Sequence, residues 1–372
     1  MQVEFTIDQE QFMAYEGVKM SYTKRQLSDE FFVRNTSLLF EQGIRDIESR
    51  YEEYYPQVHD QYDRYKATNS VAVQNDFIER PVVDIWAMKL LAILKERFPN
   101  YEFPIRNYQN ISTINVNEAF AYKHLGLFRQ VVGVFKDVYQ LKLENIIRRF
   151  SVVLGLRKDP YDKYKELLEL AKANHKKIMF FFLFGAYNTF DKNISFSSHS
   201  YKMLIKSLID YTPFGILFSY FTHKNTKKIA KEKMRLEEVV NRPVIKSRQH
   251  FNRLEIPKTY QILIENDVKE EYTMGYHTCL GFRAGTCSHF YFYDLEYEIQ
   301  TPLKVLPFCV VDELMKKKMQ LSPQEARAKI RQIQEEVKAV NGMFISIFHT
   351  HVLSGVEDGK DWMEVYKTMI EN

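Results

Sequence analysis

Ser322-Pro323-Gln324-Glu325 opens the stretch that decides the fold, and Phe344-Ile345-Ser346-Ile347-Phe348-His349 closes it. A serine followed three residues later by glutamate is the capping-box pattern, and Pro323 sits at the first helical position, where its missing N–H costs nothing. Ala326, Ile330, Ile333, Val337 and Val340 then recur at steps of four and three, which places one apolar stripe along a helix. Asn341-Gly342 stops that helix. The apolar run after it reads as a strand ending at His349. The same alternation recurs upstream. Asp159-Pro160 predicts a helix start, with Asp159 as cap and a C-terminal end near Asn174. Ile178-Met179-Phe180-Phe181-Phe182-Leu183-Phe184 follows as a wholly apolar strand, the kind covered on both faces in a parallel sheet. Val244-Ile245 and Thr273-Met274 are shorter strand candidates, separated by a helix beginning at Pro257. Repeated strand–helix alternation predicts a parallel α/β architecture.

The first hundred residues read differently, as a mixed α/β segment. Phe31-Phe32-Val33 and Ser37-Leu38-Leu39-Phe40 are predicted strands. Asp84 to Leu94 has helical spacing, with Ile85, Met88, Leu91 and Ala92 on one face. Pro99 and Pro104 stop regular structure. A boundary near residue 105 follows, giving a smaller N-terminal domain, 1–105, and a larger one, 106–372.

A chain of 372 residues is long enough for about two domains. Its charged fraction of 27% and hydrophobic fraction of 45% belong to a folded protein rather than a disordered one. The net charge is only +4 and the basic residues are spread along the chain, so composition gives no case for nucleic acid as a partner. The 24 tyrosines and 28 phenylalanines fill core for the most part, and some suit the apolar faces of sugar rings. The three cysteines, Cys279, Cys287 and Cys309, have neither zinc-knuckle nor redox spacing and fit a reducing compartment. The first residues lack the basic and apolar regions of a signal peptide, and Ile178–Phe184 is too short to span a bilayer. The expectation is a cytoplasmic protein without membrane insertion.

In parallel α/β sheets the chemistry gathers at the C-terminal strand ends. The polar residues expected there are Asn115 and Asn117 in Thr113-Ile114-Asn115-Val116-Asn117, Arg248 and His250, Arg283, and His349. Arg248 and His250 are separated by one residue and share a side of an extended chain, as donors to sugar hydroxyls or as a structural pair. No phosphate loop, dinucleotide fingerprint or nucleophile elbow is present. Cys287 beside Ser288-His289 is discounted as a nucleophile, because adjacent residues on an extended chain point apart.

Four segments carry a resemblance. They are Ser49-Arg50-Tyr51-Glu52-Glu53-Tyr54-Tyr55-Pro56 with Pro81-Val82-Val83-Asp84; Thr113 to Asn117 with Ala121-Tyr122-Lys123; Ser247-Arg248-Gln249-His250; and Tyr272-Thr273-Met274-Gly275-Tyr276 through Gly281-Phe282-Arg283-Ala284-Gly285-Thr286-Cys287 to Phe292-Tyr293-Asp294-Leu295. In order and spacing they resemble the polysaccharide deacetylase-like proteins of Bacteroidota. The resemblance implies an incomplete (β/α) barrel behind the N-terminal domain. It also implies a divalent metal held by one aspartate and two histidines, a second aspartate as base, and a histidine as acid for the leaving amine.

The chain departs from that pattern where it matters. The aspartates belong where Asn115 and Asn117 stand. An amide is nearly the shape of a carboxylate but has no negative charge and cannot act as a base. In Pro213-Phe214-Gly215-Ile216-Leu217-Phe218-Ser219-Tyr220, Leu217 occupies the place of a metal-binding histidine. His349 resembles the acid histidine, and Arg283 the arginine that orients the catalytic carboxylate. Glu118, His223 and Asp312 are the residues that a rearranged metal site would draw on. His223 is expected on the surface beside the lysine-rich stretch 224–233, and Asp312 as a helix cap. His349 and His351 share parity as a two-ligand clip, but no carboxylate is evident near them in the sequence. The expected function is a catalytically impaired deacetylase-like protein of cell-surface polysaccharide metabolism that binds a glycan precursor or another protein, with no cofactor. Active deacetylation with zinc or another divalent metal, and a purely structural protein partner, are the alternatives.

Overall fold

The computed structural model describes residues 48–104, 106–356 and 361–372. The strands expected at Phe31–Val33 and Ser37–Phe40 lie outside the described residues. Ile44–Asn372 forms one compact unit, and the boundary drawn near residue 105 falls within it.

Nine strands among the described residues form one sheet: Gln109–Val116 (β1), Lys177–Leu183 (β2), Phe214–Phe218 (β3), Lys246–Gln249 (β4), Glu270–Glu271 (β5), Phe290–Asp294 (β6), Ile299–Val305 (β7), Val310–Val311 (β8) and Met343–His349 (β9). Their spatial order is β6-β7-β5-β4-β3-β2-β1-β9-β8. Every pairing is parallel except the β6–β7 hairpin. The edge strands do not meet, so the sheet stays open, in line with an incomplete barrel.

The α-helices longer than four residues among the described residues are Val82–Arg97 (α1), Leu127–Tyr139 (α2), Leu143–Val153 (α3), Tyr164–Ala173 (α4), His199–Ile209 (α5), Thr226–Val240 (α6), Lys258–Glu265 (α7), Pro323–Ala339 (α8) and Trp362–Glu371 (α9). α5, α6 and α7 connect successive parallel strands from β2 to β5, and α8 connects β8 to β9. These are crossovers that parallel neighbours require.

The apolar run ending at Phe184 behaves as its composition demands. Phe180, Phe181 and Phe182 in β2 are all fully buried. Each contributes about 1.5–3 kcal/mol by removal from water. α8 begins as read: Ser322 accepts from the Glu325 amide while the Glu325 carboxylate accepts from the Ser322 amide, and the stripe from Ala326 to Val340 is buried. Asn341 ends it in the left-handed region at φ 52°.

Several boundaries differ from the sequence reading. The strands expected at Val244-Ile245 and Thr273-Met274 lie at 246–249 and 270–271. α1 covers the helix expected after Asp84, but of the face expected to be apolar Ile85 and Met88 pack on the core while Ala92 is exposed. The helix expected from Asp159 begins at Tyr164. Asp159 is not its cap. Its carboxylate accepts from the backbone amides of Ala121, Tyr122, Lys123 and Tyr161, so it gathers the loop after β1 instead.

Candidate functional site

Strand register sets the first layer. Asn115 pairs with His349 on one side and Phe181 on the other, Phe181 pairs with Gly215, and Leu217 pairs with both Leu183 and Arg248. Register partners in parallel strands share a face. Thr113, Asn115, Leu217, Arg248 and His349 therefore stand on one face, at the C-terminal strand ends. Gly215 makes room below them: a Cβ there would lie 2.4 Å from the Phe181 ring.

Arg248 is the central group. Its side chain is fully buried. Nη1 donates to Asn115 Oδ1 at 2.8 Å and to Thr113 Oγ1 at 2.9 Å, and Nε donates to the Tyr272 carbonyl at 2.9 Å. The guanidinium lies over the Phe181 ring, 4.3 Å from its centroid. Burial lowers the Arg248 pKa, and the nearby Glu271 works against that shift. The same burial pushes the Glu271 carboxyl up to about 7, although its hydrogen bonds from Thr273 and the charge of Arg248 favour the anion. Arg248 Nη2 and Glu271 Oε2 each lack a hydrogen-bond partner while buried. A cation and a reluctant anion thus sit together inside the sheet.

His349 closes the other side. Its Nε2 lies 3.3 Å from Asn115 Nδ2 and 3.8 Å from Glu313 Oε2. Its Nδ1 meets Asp312 Oδ1 at 2.6 Å, and its backbone N–H donates to Asp312 Oδ2 at 2.6 Å. Burial disfavours the imidazolium, yet Asp312 and Glu313 outweigh it and hold His349 above its ordinary value. Asp312 is therefore the residue that orients His349, and its Oδ1 also accepts from the Glu313 amide at the start of the helix that follows. Glu313 also meets His351 Nε2 at 2.9 Å. The carboxylate that the sequence did not reveal beside the two histidines is Glu313.

His250 turns to a separate partner. Its Nδ1 lies 2.6 Å from Asp191 Oδ1, and Asp191 is fixed by the Tyr220 amide and by Asn188. Sequence reasoning did not single out Asp191. The segment between β2 and α5 has no periodicity that places one acid at the strand ends. Beside this pair, Phe190 stacks on Tyr220 at 3.8 Å, and Phe251 lies 5.3 Å from both Tyr220 and Tyr62. Phe190, Phe251 and Tyr62 are half-buried and Phe221 is exposed.

Other expected site residues fall elsewhere. Asn117 is half-buried just past β1, and its Oδ1 is buried without a hydrogen-bond partner. The Glu118 carbonyl accepts from Thr350. Arg283 forms a bidentate pair with Glu53, at 2.9 and 2.5 Å, and also donates to the Gly275 carbonyl. Arg50 donates to Glu53 at 2.8 Å and to the Tyr276 hydroxyl at 2.6 Å. Asp84 accepts from Thr286 Oγ1, the Cys287 amide and Ser288 Oγ. The motif residues around Arg50, Asp84, Tyr276 and Arg283 thus bind the segment before β1 to the loop before β6. Cys287 is buried, and burial together with Asp84 raises its thiol pKa, which fits the dismissal of it as a nucleophile.

Among the described residues, one group of three metal-type ligands gathers within 4.8 Å: Asp63, His223 and Glu255. His223 is buried, not on the surface as expected. Lys224 Nζ already lies 2.8 Å from Asp63 and 2.5 Å from Glu255. Arg253 Nη2 lies 3.3 Å from His223 Nε2. Burial, with Arg253 and Lys224, lowers His223 to about 4.

Comparison with known proteins gives limited likeness. Residues 1–48 and 49–99 match a family of unknown function, DUF7033. No curated protein matches the chain. A candidate polysaccharide deacetylase from Mycobacterium smegmatis is similar in structure at 12% identity and a TM-score of 0.44, over 73% of this chain and 85% of that one. A polysaccharide deacetylase from Bacillus cereus is similar at 9% identity and a TM-score of 0.33, over 72% and 86%.

Proposed function

We propose that this chain is a deacetylase-like protein of cell-surface polysaccharide metabolism that binds a glycan precursor without hydrolysing it. The observation that carries the reading is the Arg248 guanidinium, fully buried and bonded to Asn115 Oδ1. The resemblance expects carboxylates at Asn115 and Asn117, one as metal ligand and one as base. A fixed cation against an uncharged amide opposes a divalent ion there. Leu217, on the same face, supplies no ligand atom. The residues present at this face do not fit the metal that the resemblance implies. The half-buried aromatic rings beside His250 and Asp191 supply a stacking surface for sugar, and His250 and His349 supply polar contacts at the same end of the sheet.

The test is metal analysis of the purified protein after incubation with zinc, together with acetate release from N-acetylated oligosaccharides and binding to a glycan array. The reading expects glycan binding, no bound zinc and no acetate. Stoichiometric zinc with acetate release defeats it. A second comparison probes the placement of the site. Asn115→Asp, Asn117→Asp and Leu217→His combined with Arg248→Met should gain zinc binding that the first three changes alone gain poorly. Failure of the fourfold variant, if folded, to bind zinc places the ancestral site elsewhere.

Asp63, His223 and Glu255 favour one alternative, an active metal-dependent deacetylase with a rearranged site. Lys224 and Arg253 already supply positive charge to that group, which weighs against it. Zinc bound by the parent chain and lost on His223→Ala decides for that alternative.

A further inference from the structure

The hairpin of α2 and α3, inserted between β1 and β2, is built inside out. Its two helices meet through polar groups. Arg149 of α3 pairs with Asp137 of α2 at 2.8 Å and donates to Gln130 Oε1, and both charged residues are buried. Gly133 allows this approach, since a Cβ there would lie 2.5 Å from the Arg149 guanidinium. Gln130, Gly133 and Asp137 fall at steps of three and four, so they form one inward stripe. The apolar residues occupy the opposite faces. Phe128 is 81% exposed and Leu141 86%, and Phe135, Tyr139, Ile147 and Leu156 are exposed beside them. An apolar surface of this extent on a folded chain marks a contact with something apolar.

Charge selects the contact. Residues 127–158 hold seven basic and two acidic residues, a net +5, whereas the whole chain carries only +4. Asp137 and Arg149 neutralise each other, and Arg148 pairs with Glu144. Lys136, Lys142, Arg157 and Lys158 remain exposed along the apolar faces. A second copy of this chain would bring like charges together. An anionic lipid surface takes both features at once: the apolar side chains enter the headgroup boundary and the lysines meet lipid phosphates. At 13 and 11 residues the helices are too short to span a bilayer, and no described helix is long and apolar enough to do so.

We propose that the α2–α3 hairpin seats the protein peripherally on an anionic membrane. The hairpin leaves the sheet at the C-terminal end of β1, next to Asn115 and Asn117. Arg129 also donates to the carbonyls of Lys192 and Asn193 in the loop that leaves β2, which fixes the hairpin beside the candidate site.

The full chain is sedimented with vesicles of phosphatidylcholine alone, or of phosphatidylcholine mixed with phosphatidylglycerol. The proposal expects binding to the mixed vesicles, weakening as salt rises, and little binding to phosphatidylcholine. Phe128→Ser, Phe135→Ser and Leu141→Ser together should abolish it with thermal unfolding unchanged, because all three side chains are exposed. Lys136→Glu with Lys142→Glu should lower the partition coefficient on the order of tenfold or more, and it keeps the test valid if the serine variant unfolds. A parent chain that stays in the supernatant with both vesicles overturns the proposal. So does undiminished binding by both variants, or a solution dimer that the serine changes dissolve. None of these outcomes depends on metal or glycan binding.

Discussion

A guanidinium held at zero exposure is costly to build and more costly to leave half-built. Arg248 of β4 links Thr113 and Asn115 of β1 to Tyr272, just past β5, and the Glu271 carboxylate favours its charged form. Arg248→Ala is expected to cost about 3–5 kcal/mol in urea unfolding, because it strands Glu271 and opens a cavity beside Phe181. Asn115→Asp runs the other way: its hydrogen bond becomes charge-assisted, and stability should rise by about 1 kcal/mol without bound metal. His349 tests the electrostatics by NMR titration. Its imidazole should titrate above its ordinary value, and Asp312→Asn should bring it down, since burial then dominates. The sign for stability follows. His349 contributes stability below its unfolded pKa and loses it as pH rises through the raised folded value. Glu271 has the same sign in a lower window: its carboxyl, near 7 when folded, withdraws stability as pH rises from 4.5 toward 7. Glu271→Gln should flatten that decline, and an unchanged pH profile of unfolding contradicts the assignment.

The elements that could be read were those whose information is local. A capping box, an apolar stripe at helical spacing and a seven-residue apolar strand each specify themselves, and α8, β9 and β2 formed where they were expected. Ser322→Ala should accordingly cost about 1 kcal/mol, checked by the shift of the unfolding midpoint. Asp159-Pro160 carried the same local signature and misled. Its carboxylate found three amides of the loop after β1, a long-range demand that outweighs a cap and that no window around residue 159 contains. Two-residue strands such as β5 are held by their neighbours and leave no periodicity to read. No sequence expectation covers the α2–α3 hairpin, and an apolar stripe would not in any case say that it points outward.

On the scale of the molecule, the site was legible as a set of strand ends and not as a set of partners. Asn115, Arg248 and His349 do meet. His250 pairs with Asp191, and Arg283 serves the buried junction with Glu53, where the two side chains are each only 3% exposed. Spacing identifies which residues share a sheet face, but charge partners more than two hundred residues apart are fixed only by the fold. Glu53→Gln removes the carboxylate partner of Arg283 and one of the two that face Arg50, the other being Glu52, and should destabilise by about 3–5 kcal/mol, with proteolysis of the segment 48–104 preceding loss of the sheet.

The neighbour of β1 on its second edge is β9, and 234 residues separate Asn115 from His349. During synthesis, β1 must wait with one bare edge until almost the whole sheet has been made. Any chain released before residue 343 offers that edge to other nascent chains, and the apolar hairpin leaves the ribosome in the same interval. A ribosome-stalled chain ending before β9 should therefore depend on chaperones, and one ending after α9 should not.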